Sequence, residues 1–284
     1  MRAQGAATTR PMQNTGRRRA SPTEDALRAA VQVAAGAQRW TKSSPLADAS
    51  DPRIARLARS LVHACSNERE RAIAIFEHVR RMPLAASPKW RLRTAAQVAA
   101  RGKGDPIDKA TLFVALLRAC GLPARFIFAP AHSELHSGLP ARLAAMPRPI
   151  VEVRVDQAWI RTDTFVPDTA YAVAAHHRLR RHRQEYGYGI SVEGAQDWDG
   201  VKHRYVLGRE QEDYPALPGC RKLRDPGEYL ASLGLAGRLM WIVKLVHWNA
   251  MAPRLDRRLR ALRLRQPPPE SSGAPRSATV RRAA

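Results

Sequence analysis

The sequence predicts an α+β fold, in which a helical N-terminal lobe and a central buried helix pack on an antiparallel sheet. Three observations predict it. Apolar residues recur at helical spacing over residues 51–81, residues 110–117 are apolar on nearly every side, and residues 150–155 alternate between apolar and charged. At 284 residues, 44% of them hydrophobic, the chain is long and apolar enough to bury a sizeable core.

Two amphipathic helices are expected at the start of the lobe. Asp51 can cap a helix whose first residue is Pro52, because proline suits the first helical position. Asn67 can cap the second helix, with Glu70 completing a capping box, and Pro83 ends it. The residues expected to face the core are Ile54, Leu57, Ala58, Leu61, Val62, Ile73, Phe76 and Val79.

The central helix follows a short helix over residues 94–100 that stops at Gly102. Asp105 is its expected cap, Pro106 its first residue, and Gly121 closes it. Because this helix is apolar all round, protein must surround it.

Strands are expected after the central helix. A first strand begins at residues 126–128, and residues 150–155 form a hairpin with residues 158–163 that buries one face. A second hairpin is expected within residues 188–198, with its turn at Glu193 and Gly194.

Helices return at Asp225 and continue to Arg265, with a break expected near Pro253. We expect the part before Pro253 to pack on the domain. The part after it, where arginines flank the leucines, is expected to be peripheral and suits an anionic membrane surface or an acidic partner. The apolar residues of the two parts are Leu239, Ile242, Val243 and Val246, then Leu255, Leu259 and Leu262.

The motifs GKGDPIDKA and ALLRACGLPAR, followed by VEVRVDQAWIRTD, resemble the transglutaminase-like superfamily, which shares the papain-like architecture of cysteine proteases. The resemblance covers residues 51–168. It implies a transglutaminase-like domain over residues 46–235, between a disordered basic tail (1–45) and C-terminal amphipathic helices (236–265). A second disordered basic tail (266–284) follows.

In that family a nucleophilic cysteine begins the buried helix, a histidine precedes the first hairpin strand, and an aspartate ends the second. The resemblance puts Pro106, Arg148 and Asp163 at these positions, so Asp163 is the one triad position that survives. Proline offers no nucleophile, yet it suits the helix start. Without a histidine to orient, Asp163 is interpreted as capping a turn or pairing with an arginine such as Arg148. Asp108 and Lys109 are expected to hold the loop before the helix.

The resemblance therefore implies a pseudoenzyme: a binding or scaffolding module with a peptide or protein ligand in the vestigial cleft. The alternative is an active amide hydrolase or acyltransferase that uses residues outside the family's triad. Neither hypothesis requires a cofactor. Cys65, Cys120 and Cys220 are widely spaced and odd in number, which fits neither a disulfide framework nor a CxxC metal site. Cys120 lies at the far end of the helix from its N-terminus and is expected to be a buried core thiol.

Charge suggests a further alternative, polyanion binding. The formal net charge is +23, and both ends of the chain are rich in arginine. Such tails favour nucleic acid or anionic membrane without specificity. The run HHRLRRHR (176–183) suits a solvated basic face or a nucleic-acid contact better than a metal site. Lys244 interrupts the longest apolar stretch and no apolar segment follows the N-terminal arginines, so we expect a cytoplasmic protein without a transmembrane segment.

Overall fold

The computed structural model describes residues 36–129, 148–208 and 221–264. It confirms an α+β fold, and the elements below belong to one compact unit. In chain order they are α1 (Pro52–Val62), α2 (Glu68–Arg81), α3 (Ala95–Arg101), α4 (Pro106–Ala119), β1 (Ala124–Ala129), β2 (Arg148–Val155), β3 (Ala158–Thr162), α5 (Thr169–Arg181), β4 (Tyr186–Gly187), β5 (Ile190–Ser191), α6 (Pro226–Ser232) and α7 (Gly234–Leu264).

The predicted helix caps are present at α1 and α2. The Asp51 side chain accepts from the Arg53 backbone N–H at 2.8 Å, and the Asn67 side chain accepts from the Glu70 N–H at 2.8 Å. The expected capping box is shifted by one residue, because the Glu70 carboxylate accepts from the Ser66 N–H at 2.6 Å. The carboxylate thus satisfies a donor just outside the helix.

Helix α4 is the buried central helix that the sequence predicts. Asp105 accepts from the N–H groups of Ile107 (3.0 Å) and Asp108 (3.1 Å). The Asp108 carboxylate reaches back to the Asp105 N–H at 3.4 Å and completes a capping box. Every residue from 107 to 118 is buried. The chain leaves the helix through Gly121, whose φ of +79° suits glycine.

The main core surrounds α4, with helices α1 to α3 on one side and the sheet on the other. The Phe113 ring of α4 lies 5.1 Å from that of Phe165, and Phe76 of α2 lies 5.5 Å from Trp198. Four of the expected core residues are half-buried: Leu57, Leu61 and Val62 pack against this core, whereas Ile73 does not. It faces the segment around Gly200 near the surface, while Ile75 takes the fully buried position.

The sheet has the order β1-β2-β3, with both pairs antiparallel. The expectation that β2 buries one face is wrong, because Glu152 and Arg154 are buried as well as the valines. As the central strand, β2 has a second layer over its polar face. Arg125 pairs with Glu152 at 2.5 Å, and its guanidinium lies 3.7 Å from the Trp159 ring and 5.3 Å from the Trp40 ring.

The second hairpin exists, but its predicted turn at Glu193 and Gly194 is wrong. The turn lies at Tyr188 and Gly189, where φ is +56° and +78°. Gly194 has a different role: a Cβ there would lie 1.7 Å from the Val206 carbonyl oxygen. Glycine is therefore required at this position because another backbone segment approaches closely. A glycine in the sequence fits this role as well as it fits a turn, so the sequence alone does not distinguish the two.

Helix α5 was not predicted, and it decides how α7 docks. Tyr171, Ala175 and Leu179 of α5 form a second core with the later part of α7. The expectation for α7 is therefore reversed: Leu255 and Leu259 are buried, whereas the apolar residues before residue 247 are mostly exposed.

Helix α7 also runs through Pro253 without the expected break. Trp248 and Ala252 before the proline and Leu255 after it are all buried, so packing holds both turns in one helix. No helix in the described ranges is both long and apolar enough to cross a bilayer. Residues 1–35 and 266–284 of the predicted tails lie outside those ranges, and within 36–45 Trp40 is buried.

Candidate functional site

The sheet brings two of the three predicted site residues together. Arg148 is the first residue of β2, and Asp163 directly follows β3. Because these strands are antiparallel, the start of β2 and the end of β3 meet at one edge. The Arg148 Nε lies 2.7 Å from the Asp163 Oδ2. The interpretation of Asp163 as the partner of an arginine is confirmed by this ion pair.

Asp163 is buried and has several polar partners. Its side chain is 0% exposed, and that of Arg148 is 14% exposed. Its Oδ1 accepts from the Val206 N–H at 2.8 Å, and its backbone carbonyl accepts from the Val166 N–H at 3.2 Å. The carboxylate is thus held by a guanidinium of β2 and by a backbone N–H of the Val206 segment. It therefore ties β2, β3 and the Val206 segment together.

The first turn of α4 lies at the same edge. Lys109, three residues after Pro106, donates from Nζ to the Val166 carbonyl at 3.0 Å. Val166 follows Asp163 by three residues. Pro106, the first residue of α4, is half-buried. The first turn of α4 thus contacts the segment that follows Asp163.

Lys109 has a structural role, as expected, but it holds the end of α2 and the Val166 segment instead of the loop before α4. It is fully buried, and its Nζ also donates to the carbonyls of Met82 (2.6 Å) and Arg80 (3.3 Å). Burial lowers the pKa of the Lys109 ammonium to about 7, against the opposing effect of Asp168. With no exposed surface, this amine has no route to a substrate.

A buried ionic cluster supports the start of α4; we call Lys89, Arg93, Asp105 and Asp108 the α4-start cluster. Lys89 Nζ pairs with Asp105 and lies 3.3 Å from Asp108 Oδ1, and Arg93 Nη1 lies 2.6 Å from Asp108 Oδ2. Although burial opposes the charged ammonium, Asp105 and Asp108 outweigh it and raise the pKa of Lys89. The expected holding role of Asp108 is confirmed.

Sequence reasoning missed Lys89 and Arg93. They lie 16 and 15 residues before the carboxylates that they pair with, in a loop without helical or strand periodicity. No spacing rule connects residues so far apart in sequence.

Next to the α4-start cluster lies a groove of about 460 Å³, which we call the Trp90 groove. Trp90 is 72% exposed, and no acidic residue lines the groove. Within the described residues, Arg91 and Arg101 have no ion-pair partner, so the wall offers free guanidinium groups. The cationic and aromatic residues that line it are Arg53, Lys89, Trp90, Arg91, Arg93 and Arg101.

The two cysteines that the structure describes are free and half-buried. Cys120 caps the C-terminal end of α4, at the opposite end from Pro106, and is more exposed than the buried thiol that we expected. Burial raises the pKa of the Cys120 thiol despite the nearby Arg71. Cys220 lies outside the described residues. Over the described ranges, no three His, Cys, Asp or Glu side chains are grouped as metal ligands.

Comparison with protein families matches residues 55–164 to the transglutaminase-like superfamily. Two solved structures are similar to this chain. A proposed cysteine protease from Cytophaga hutchinsonii is 18% identical over 43% of this chain and 39% of its own, with a TM-score of 0.37. A proposed protease from Parabacteroides distasonis is 21% identical over 45% of this chain and 25% of its own, with a TM-score of 0.32.

The chain thus spans 39% and 25% of the length of those two structures. Comparison with curated proteins finds no match. The family match runs from α1 to the residue after Asp163 and includes α4 and all three strands of the sheet. The family match covers residues 55–164, less than half of the chain, and these residues are therefore similar to a transglutaminase-like domain.

Proposed function

We propose that this transglutaminase-like domain has no thiol catalysis and serves as a binding module. The observation that carries the proposal is the ion pair between Arg148 and Asp163. In a cysteine-based triad, a histidine accepts the proton of the thiol and an aspartate orients the histidine. A guanidinium stays protonated at physiological pH, so Arg148 cannot accept that proton. Pro106, at the helix start, has no thiol to give one.

The most direct test is an activity assay of the pure full chain. We expect neither hydrolysis of a glutamine peptide nor its crosslinking to an amine. Turnover abolished by alkylating the cysteines would overturn the proposal. Turnover that survives alkylation would overturn it in favour of the alternative, an enzyme that uses other residues.

A rebuilt triad tests the assignment of the three positions. The double variant Pro106→Cys/Arg148→His should create a thiol at the helix N-terminus with a depressed pKa, which alkylates near pH 6. The matched control adds Asp163→Asn, which removes the charge that orients the histidine and should slow the alkylation. A thiol at position 106 that reacts no faster than a free cysteine would show that the assignment is wrong.

The residues of the Trp90 groove suit an acidic peptide as the ligand. Free guanidinium groups at Arg91 and Arg101 can hold carboxylates in bidentate geometry, and the exposed Trp90 ring offers a stacking surface. The groove is joined to the helix start through the pair between Lys89 and Asp105. It therefore lies beside the end of the domain where the family positions its nucleophile.

Charge reversal tests the groove. We expect Arg91→Glu/Arg101→Glu to weaken binding of a glutamate-rich peptide by about tenfold or more, because each charge-assisted pair contributes about 1.5 kcal/mol or more. Arg56→Glu/Arg59→Glu is the matched control, since both arginines are exposed on α1 and outside the groove. Equal weakening in both variants would indicate that only net charge matters, as expected if the basic tails bind.

A further inference from the structure

The first part of α7 exposes a row of large apolar side chains. Leu235 is 77% exposed, Leu239, Ile242 and Val243 are each 56% exposed, and Val246 is 51% exposed. Each of these residues lies three or four positions from another of them, so they share one side of the helix. Met240, also 56% exposed, lies beside them. We call this surface the α7 face.

Such a surface is unusual for a protein in water. Apolar side chains exposed singly are normal, whereas a contiguous apolar patch marks an interaction site. The later part of the same helix shows the difference, because its Leu255, Leu259 and Leu262 are buried against α5. The helix is thus anchored to the domain by its later turns and presents its earlier turns outward.

The charges around the α7 face are of one sign. Between Glu228 and Asp256 the sequence contains no acidic residue, and helical spacing puts Arg238 and Arg254 on the two flanks of the α7 face. The whole chain carries a formal charge of +23. Apolar residues along one side of a helix, bordered by arginine, are the pattern of a helix that lies in the interface of an anionic bilayer.

We propose that the α7 face docks on an anionic lipid surface, with α7 lying in the plane of the interface. The twelve residues from Leu235 to Val246 extend only about 18 Å at 1.5 Å per residue, against about 30 Å of hydrocarbon. The apolar side chains enter the boundary of the acyl chains while the cations meet the lipid phosphates. This inference is independent of the proposed function, since no residue of the α4 end takes part.

A second copy of the chain fits this face less well. Pairing two α7 faces about a twofold axis would bring together two chains that each carry a formal charge of +23 and therefore repel each other. A lipid surface supplies the opposite charge instead. A partner protein, or a segment of this chain outside the described residues, would each need an apolar groove of its own.

Vesicle sedimentation with the full-length protein tests the proposal. The variant Leu239→Ser/Ile242→Ser/Val246→Ser removes three exposed apolar side chains and should leave the melting temperature unchanged. Its matched control is Val173→Ser/Val201→Ser, which changes exposed valines outside α7. We expect the α7 variant to lose about tenfold or more in partition onto phosphatidylcholine vesicles that contain phosphatidylglycerol, because three apolar side chains no longer transfer from water into the boundary of the acyl chains. The control should partition like the native protein, and phosphatidylcholine alone should bind more weakly.

Three results would overturn the proposal. Equal partition of the α7 variant and the native protein would assign membrane binding to the basic tails. If the native protein sediments with neither kind of vesicle, the α7 face does not bind lipid. A dimer without vesicles that the α7 variant dissociates, measured by light scattering, would assign the face to a second copy.

Discussion

Two buried ionic groups lie near the first turn of α4, and they differ in what they do there. In the α4-start cluster, two carboxylates meet two cations and also accept backbone N–H groups, so the charges build the start of the helix. The pair of Arg148 and Asp163 instead joins two strands and the Val206 segment. The first group builds the start of the buried helix, and the second holds one edge of the sheet.

The largest expected effect is on the α4-start cluster. Asp108→Ala leaves Lys89 and Arg93 buried with one carboxylate fewer, and it removes the capping box. We expect a loss of about 3 to 5 kcal/mol in the free energy of unfolding, measured by urea denaturation. Glu77→Ala, which breaks the partly exposed pair with Arg80, should cost at most about 1 kcal/mol. Similar losses in both variants would mean that the cluster does not support the helix.

A smaller effect is expected at the second group. Arg148→Met leaves Asp163 without its cation but with the N–H of Val206, so we expect a loss of about 2 to 3 kcal/mol. In a double-mutant cycle of Arg148→Met and Asp163→Asn, the coupling in the free energy of unfolding should be about 1 to 3 kcal/mol. Additive losses would contradict the ion pair. If Arg148→Met loses stability while its cysteines react no faster than those of the native protein, the ion pair has a structural role and not a catalytic one.

Lys109 lies between the two groups and should give stability a pH dependence. Its pKa is about 7 in the folded protein and 10.5 as a free side chain, so the unfolded state binds more protons between these values. Stability from this group therefore rises with pH from about 7 to 10.5, by at most about 1.4 kcal/mol per pH unit. The free energy of unfolding of the native protein minus that of Lys109→Met should show this rise. A flat difference would mean that Lys109 is not buried as described.

Local chemistry explains why much of the fold was predictable. Asp51 before Pro52 and Asp105 before Pro106 mark helix starts by side-chain capping, and the all-round apolar sequence of α4 requires burial. These signals depend on residues within a few positions of one another. The contact of Asp163 with Arg148 was also within reach, because the hairpin pattern places them at one edge of the sheet.

The wrong predictions concern features that depend on contacts between segments far apart in the sequence. The leucines before and after Pro253 have the same helical spacing, so nothing within α7 shows which half is buried. The later half is buried because it packs on Tyr171 and Leu179 of α5. Helix α5 was not predicted because alanines make up much of its apolar face. The Trp90 groove was missed for a similar reason, since it joins residues of α1, the loop before α3 and α3 itself.

The absence of a catalytic thiol is the central claim, and the reactivity of the native cysteines tests it most directly. The full-length protein would be treated with iodoacetamide from pH 5 to 9, and each site measured by mass spectrometry. We expect Cys65, Cys120 and Cys220 all to label slowly at pH 6, with Cys120 the most resistant because burial raises the pKa of its thiol. Rapid labelling of any one of them near pH 6 would reveal a thiolate poised for catalysis and contradict the account.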